Sequence, residues 1–324
     1  MSNFSAREGY IGIAKQASKG TGVAPATFFK WDGETDMSAK QAFTLYREGG
    51  DSVNPGVTLK ERHDPSGSFA GLLRPSGGGL LLALMAGADS VAGIGPYTHT
   101  ITPAAAGSMP WASIERSIAG QLQNRFVDCR IKTLTIEGEQ GMPLRFTCEY
   151  VGISEDASVT AATDTYETDD PWLYFDAVFT KDGSASTMIR RFRITFQNAW
   201  SEDLFTNSIT RRDLVLLSRH VEFEFELLFE TGDPYKATYL GGGSAAAESM
   251  DTGSFKVVAD NGAAGTSKRK LTLDLKNVVY TAGPVEINNT DDLAAYRFTG
   301  HAKKGAADNL FDIEVINGDS AAYV

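Results

Sequence analysis

The sequence predicts a mainly β protein of two tandem sandwich- or barrel-like modules, each flanked by a short α-helix. Three observations carry that reading. Apolar and polar residues alternate with period two in one segment after another. Glycine is abundant, at 33 residues, and proline modest, at 11, which suits a chain rich in turns. The same order of features also occurs twice along the 324 residues.

Taken in chain order, a first strand is expected to end near Arg74-Pro75, after which Gly77–Gly79 release the chain from the sheet. The apolar run Leu80–Ala86 then reads as a short helix, started by a serine and stopped by Gly87. In "LRFTCEY", Leu144, Phe146, Cys148 and Tyr150 share one face, and the turn "GEQGMP" (Gly138–Pro143) joins this strand to the one before it. "SEDASVTAATDTYETDDP" is small, acidic and polar, so residues 156–170 are expected to be a linker between modules at 1–155 and 171–324.

In the second half, "RFRITFQ" sets Phe192, Ile194 and Phe196 against Arg191, Arg193, Thr195 and Gln197. "VEFEFEL" sets Val221, Phe223, Phe225 and Leu227 against Glu222, Glu224 and Glu226, and "KLTLDLK" aligns Leu271, Leu273 and Leu275. These are half-buried antiparallel strands. A second short helix is expected over Asp233–Leu240, with Pro234 in its first turn and Gly241 after its end. The repeat itself rests on Arg62-His63 against Arg219-His220, Leu134 against Leu273, and Arg145-Phe146-Thr147 against Arg297-Phe298-Thr299.

Several function classes are disfavoured. A net charge of −11 is wrong for a general duplex-DNA binder, which needs basic stripes to displace counterions. No Gly-Lys dipeptide exists, so the three glycines are not a phosphate loop, and no G-x-S-x-G elbow is present. The four histidines (His63, His99, His220 and His301) stand apart at no ligand spacing. His63 and His220 read as structural strand residues. Cys129 and Cys148 read as reduced core thiols. No catalytic, cofactor or metal site is expected. The longest apolar run is too short for a bilayer, and "MSNFSAREGYIGIAKQ" has no export signature, which leads to the expectation of a cytosolic start. "SKRK" (Ser267–Lys270) reads as a solvated loop. Glu222, Glu224 and Glu226 recur at about 6.5–7 Å along one strand face. They form an acidic ridge that Arg191 and Arg193 would partly neutralise if the two strands are neighbours.

The residues also carry a resemblance. "EGYIGIAKQASKGTGVAPATFFKW", "LKERHDPSGSFAGLLRPSGGGLLLALMAG", "PYTHTITPA" and "IKTLTIEGEQGMPLRFTCEYVGI" occur in an order that resembles siphophage major tail tube proteins across nearly the whole first half. The second half is looser and shares the likeness through the repeat. The resemblance implies modules that assemble into rings, and rings that stack into a hollow tube through which viral DNA leaves the capsid. Two modules per chain imply a trimeric, pseudo-hexameric ring. The implied partners are further copies of the chain, a tape measure protein, tail terminator and tip proteins, and phage DNA that passes without specific binding. The implied location is the virion tail, assembled in the host cytoplasm.

Within that reading Glu222, Glu224 and Glu226 are expected to face the lumen. The long connections "AKQAFTLYREGGDSVNPG" and "NAWSEDLFTNSITRRD" are expected to make inter-ring contacts through Arg47, Glu48, Asp51, Asn54, Glu202, Asp203, Arg211 and Arg212. A head decoration or baseplate protein, or a carbohydrate-binding or adhesin module, are the alternatives.

Overall fold

The alternating segments become strands because an antiparallel partner satisfies their backbone while one face buries its apolar row. The structure, a computed structural model, describes residues 8–32, 35–46, 57–229, 252–282, 285–286 and 294–324. The first half holds β1 (Gly9–Gln16), β2 (Thr27–Phe29), β3 (Asp36–Tyr46) and β4 (Val57–Leu72), then helix α1 (Pro75–Ala86). It continues with β5 (Gly87–Ala92), β6 (Tyr97–Pro103), β7 (Trp111–Ile118), β8 (Leu122–Glu139), β9 (Arg145–Val151) and β10 (Ser154–Asp156). The second half holds β11 (Ala177–Lys181), β12 (Ser184–Ser186), β13 (Ile189–Trp200), β14 (Leu216–Leu228) and β15 (Thr252–Asp260). It ends with β16 (Lys270–Ala282), β17 (Val285–Glu286), β18 (Ala295–Ala302) and β19 (Asp312–Asn317). The helix expected over Asp233–Leu240 lies outside the described residues.

One pairing scheme occurs twice. β1 pairs with β2 and β7, β7 with β8, and β8 with β10. β3 pairs with β4, β4 with β9, and β9 with β8. Replacing β1, β2, β3, β4, β7, β8, β9 and β10 by β11, β12, β13, β14, β15, β16, β18 and β19 reproduces every one of these pairings. The two Arg-Phe-Thr triplets sit in the corresponding strands β9 and β18. The leucine match is corrected: Leu134 pairs with Cys148 in β9, whereas Leu273 pairs with Ile313 in β19. Any two Leu-Thr-Leu strands align by alternation alone, which is why that match misleads.

Long strands carry the chain between sheets. In β8, Leu122–Cys129 pair with β7 and Arg130–Glu137 with β9. At the crossover Asp128 takes a left-handed φ of 57°, a conformation that side chains resist unless they are held locally. Here the Asp128 amide donates to Gln16 Oε1 at 2.9 Å, and its carboxylate accepts from Gln16 Nε2 at 2.9 Å and the Gly20 amide at 2.7 Å.

Among the described residues two strand ladders join the halves. β8 pairs with β13 from Glu139↔Arg191 to Thr133↔Gln197. The β5–β6 hairpin leaves the first half and lays β6 on β19, with Ile101 opposite Ile313. The core beneath is aromatic: Phe69, Phe126, Phe192, Phe225, Phe255 and Phe298 are fully buried, and Phe225 stacks on Phe255 at 4.9 Å.

Helix α1 starts earlier than the sequence suggests and takes the glycines into its first turn. Pro75 opens it, Gly87 closes it with φ of 103°, and the Gly87 amide donates to the Ala83 carbonyl. A helical glycine costs about 0.5–1 kcal/mol against alanine. Close packing offsets that cost, because a Cβ on Gly77 would lie 2.9 Å from Phe29 and one on Gly79 would lie 2.7 Å from Tyr323. The first-turn amides of Ser76 and Gly77, which have no partner within the helix, donate to the Glu167 carboxylate at 2.8 and 3.0 Å, so the chain's own anion occupies the helix start.

Glu167 belongs to the acidic segment 156–170 expected to link the two modules. Residues 156–170 lie along the molecule: the Ala162 amide donates to the Tyr10 hydroxyl at 2.6 Å, Tyr166 pairs with Phe28, and Asp169 binds Arg269 at 2.6 Å. The "SKRK" loop is likewise ion-paired rather than solvated, through Lys268–Asp260, Arg269–Asp169 and Lys270–Glu314. Acidic polar residues read as linker in composition, yet they are also the partners that buried amides and arginines require.

Candidate functional site

Strands β8, β13, β14 and β18 lie side by side, so their outward residues form a grid. Glu222, Glu224 and Glu226 share the outward face of β14 opposite buried Val221, Phe223 and Phe225. Across the grid Glu224 faces Arg193 and Thr299, and Glu226 faces Arg191 and Arg297. The expected neighbours are therefore in place. Ion pairs tie the grid together: Arg297 Nε lies 2.6 Å from Glu224 on the diagonal, Arg193 Nη2 2.9 Å from Glu137 directly across on β8, and Arg190 Nε 3.2 Å from Glu226. The row is a charge mosaic rather than a continuous acidic ridge. A shallow groove of about 430 Å³ runs along it between Arg193, Glu222, Thr299 and His301.

A second feature leaves the sheet. Among the described residues β4 pairs with β9 from Ser66 to Leu72 and its earlier residues form a ladder with β3 alone, so the outer part of β3–β4 is a projecting two-stranded arm. Its described end exposes Phe43 (60 %), Leu45 (56 %), Tyr46 (51 %) and Leu59 (48 %). Arg47, Glu48, Asp51 and Asn54 lie outside the described residues.

The corresponding connection of the second half, between β13 and β14, is folded down onto the first. Arg211, expected among the inter-ring contacts, is buried within the chain. Its guanidinium pairs with Asp64 and donates to the carbonyls of Glu202 and Gly152, each at 2.9 Å. A long cation with five donors satisfies several acceptors at once, and sequence alone does not show them converging. Glu202 pairs with Lys132 at 2.8 Å, exposed Asp203 lies 3.6 Å from Arg62, and the Arg212 carbonyl accepts from Lys19 at 2.5 Å. His63 and His220 are strand residues beside Glu155 and Glu222.

Sequence reasoning missed the buried histidine. His99 in β6 places Nδ1 3.0 Å from the Asp89 carboxylate and Nε2 3.0 Å from the Asp319 carbonyl. Both partners are acceptors, an arrangement that favours the protonated ring, in which both nitrogens donate. Burial opposes that charge, but the hydrogen bonds and fields of Asp89 and Asp319 outweigh it and raise the pKa. Tyr323 stacks on the ring at 4.4 Å and donates its amide to Asp89 at 2.8 Å. His99 thereby fastens the chain's last residues to the hairpin. Cys129 and Cys148 are buried, and burial pushes both thiols well up.

Among the described residues no group of three or more histidines, cysteines or carboxylates is placed to hold a metal ion, and no helix is long and apolar enough to cross a membrane. What the geometry defines is a β-sandwich protein whose notable surfaces are sheet edges, an apolar arm and a charged sheet face. The model of a family described as phage tail tube protein matches residues 6–302, and the chain belongs to that family. It is a structural component of a bacteriophage tail. A comparison with curated proteins found no match.

Proposed function

We propose that the chain is the ring subunit of a hollow tail tube, that three copies close a pseudo-hexameric ring, and that stacked rings form the conduit for DNA ejection. The observation that carries this reading is the β8–β13 junction. There the sheet of the first half continues edge to edge into the sheet of the second through a regular antiparallel ladder. The same scheme applied between chains joins the β16 side of one copy to β3 of the next, whose outer edge has no partner strand among the described residues. Such a contact is heterologous and closes a ring when its rotation divides a full turn. It also covers edges that would otherwise template aggregation.

On this reading the halves 1–155 and 171–324 are the two modules, and the β8–β13–β14–β18 face turns Glu222, Glu224 and Glu226 to the lumen. An ion-paired, non-basic wall gives a polyanion no stripe on which to release counterions, so DNA slides. The connection holding Arg47, Glu48, Asp51 and Asn54 makes inter-ring contact, with Asp203 and Arg212 at the surface near its base. Tape measure, terminator and tip proteins meet the tube at its lumen and ends, and assembly takes place in the host cytoplasm. Negative-stain microscopy of the purified protein tests the reading: uniform hollow tubes or rings support it, and spikes or capsid-bound trimers favour a decoration protein.

A further inference from the structure

The internal repeat makes Thr133 of β8 and Val279 of β16 equivalent positions. Thr133 pairs with Glu149, and Val279 pairs with His301. Glu149 and His301 each lie two residues after the threonine of an Arg-Phe-Thr triplet. The opposite edges of these two strands differ. At Thr133 that edge is taken by Gln197 of β13, where the ladder joining the halves ends. β7 leaves the edge earlier, at Ala112↔Cys129, and the chain before it turns off at Pro110, whose carbonyl accepts from Arg130 at 2.8 Å. The first half thus clears its own edge for a neighbouring strand.

The second half does not. The first residues of β15 stay on the β16 edge, with Thr252 opposite Val279 and Gly253 opposite Val278. Thr252 therefore stands where the repeat would seat a strand of the next copy. A register shift follows between Gly253 and Phe255, and from Phe255, which is fully buried, the ladder continues to Asp260. The two rungs beyond that irregularity can peel away without disturbing the rest. One residue holds them. Asp182, in the β11–β12 turn, donates its amide to the Ser254 carbonyl at 2.9 Å, and its carboxylate accepts from the Ser254 amide at 2.9 Å and the Tyr280 hydroxyl at 3.1 Å. Glycine at 253 makes room for that carboxylate, since a Cβ there would lie 1.8 Å from Asp182 Oδ1.

We propose that Thr252 and Gly253, clasped by Asp182, are an autoinhibitory cap on the β16 edge, and that β3 of the next copy displaces them when the ring closes. The cap keeps the free chain from offering an open edge to any strand that meets it. This rests on the ring reading above.

The test uses the full chain. Thr252→Cys/Val279→Cys joins a directly opposite antiparallel pair, within reach of a disulfide, and the buried Cys129 and Cys148 do not compete. Oxidised, this variant is expected to stay monomeric at concentrations where the wild type forms rings, and reduction is expected to restore them. Lys256→Cys/Asp274→Cys sets the same lock across the ladder past the register shift and is expected to form rings in either state. Asp182→Gly removes the clasp without straining the turn, because Asp182 holds a left-handed φ of 52°. It is expected to lower the concentration needed for rings about five- to tenfold. Rings formed by the oxidised Thr252→Cys/Val279→Cys variant, rings lost equally on oxidation of Lys256→Cys/Asp274→Cys, or a threshold unchanged or raised by Asp182→Gly would overturn the proposal. Wild-type protein that forms no rings defeats the ring reading instead, and that control tells the two failures apart.

Discussion

The guanidinium of Arg219 in β14 donates to the carbonyl of Ala86, the last residue of α1, at 3.0 Å. It also donates to the Ala104 carbonyl at 3.2 Å and to Asn198 Oδ1 at 3.1 Å. A strand of the second half thus caps the helix of the first, where the macrodipole favours a cation. Arg219→Met should destabilise the protein by about 2–3 kcal/mol, the usual worth of charge-assisted bonds to buried carbonyls. Urea unfolding measures it, and Arg219→Lys should restore little, since one ammonium cannot span both carbonyls.

Arg211 and Asp64 form a more deeply buried arginine bridge between the halves. Removing the arginine leaves a half-buried carboxylate and two carbonyls without their donor. Arg211→Met should cost about 3 kcal/mol. In a double-mutant cycle with Asp64→Asn the two losses should be clearly non-additive, whereas strict additivity would show the pair to be uncoupled.

His99 makes stability depend on pH. Its folded pKa is raised, so the folded state holds the proton more tightly than the unfolded chain does. The stabilisation is complete below the unfolded value of about 6.5 and is lost as pH rises through the folded pKa. The wild type should lose stability across that interval, and His99→Gln should flatten this part of the profile. Limited proteolysis should release the residues around Tyr323 earlier in the variant, because their stacking partner is gone.

Gly79 offers a test in which helix propensity and packing oppose each other. Alanine is the better helix former by about 1 kcal/mol, but its methyl would meet the Tyr323 ring. Gly79→Ala should therefore lower the melting temperature, by an overpacking cost of about 1–3 kcal/mol. A rise would mean that the terminal residues yield without penalty.

The strands were legible because alternation is a local signal. Phe192, Ile194, Phe196, Val221, Phe223 and Phe225 are all buried as their spacing requires. That Arg191 and Arg193 lie across from the β14 glutamates was conditional in the sequence, since alternation gives a strand's faces and not its neighbours. The helix core at Leu80–Ala86 was legible too, whereas its start at Pro75 was not, because Phe29, Glu167 and Tyr323 are distant in sequence. Arg211, His99 and the docked acidic segment were illegible for one shared reason. Their burial depends on acceptors contributed by other parts of the chain, and a single charged residue carries no trace of where its partner lies.

The number of chains in one ring tests the central claim most directly, and native mass spectrometry or cryo-electron microscopy of an isolated ring reads it. The two-module account predicts three chains arranged with approximate sixfold symmetry, with an inter-chain strand junction resembling that of β8 with β13. A ring of six chains, or a protein that remains monomeric under every condition, would contradict it.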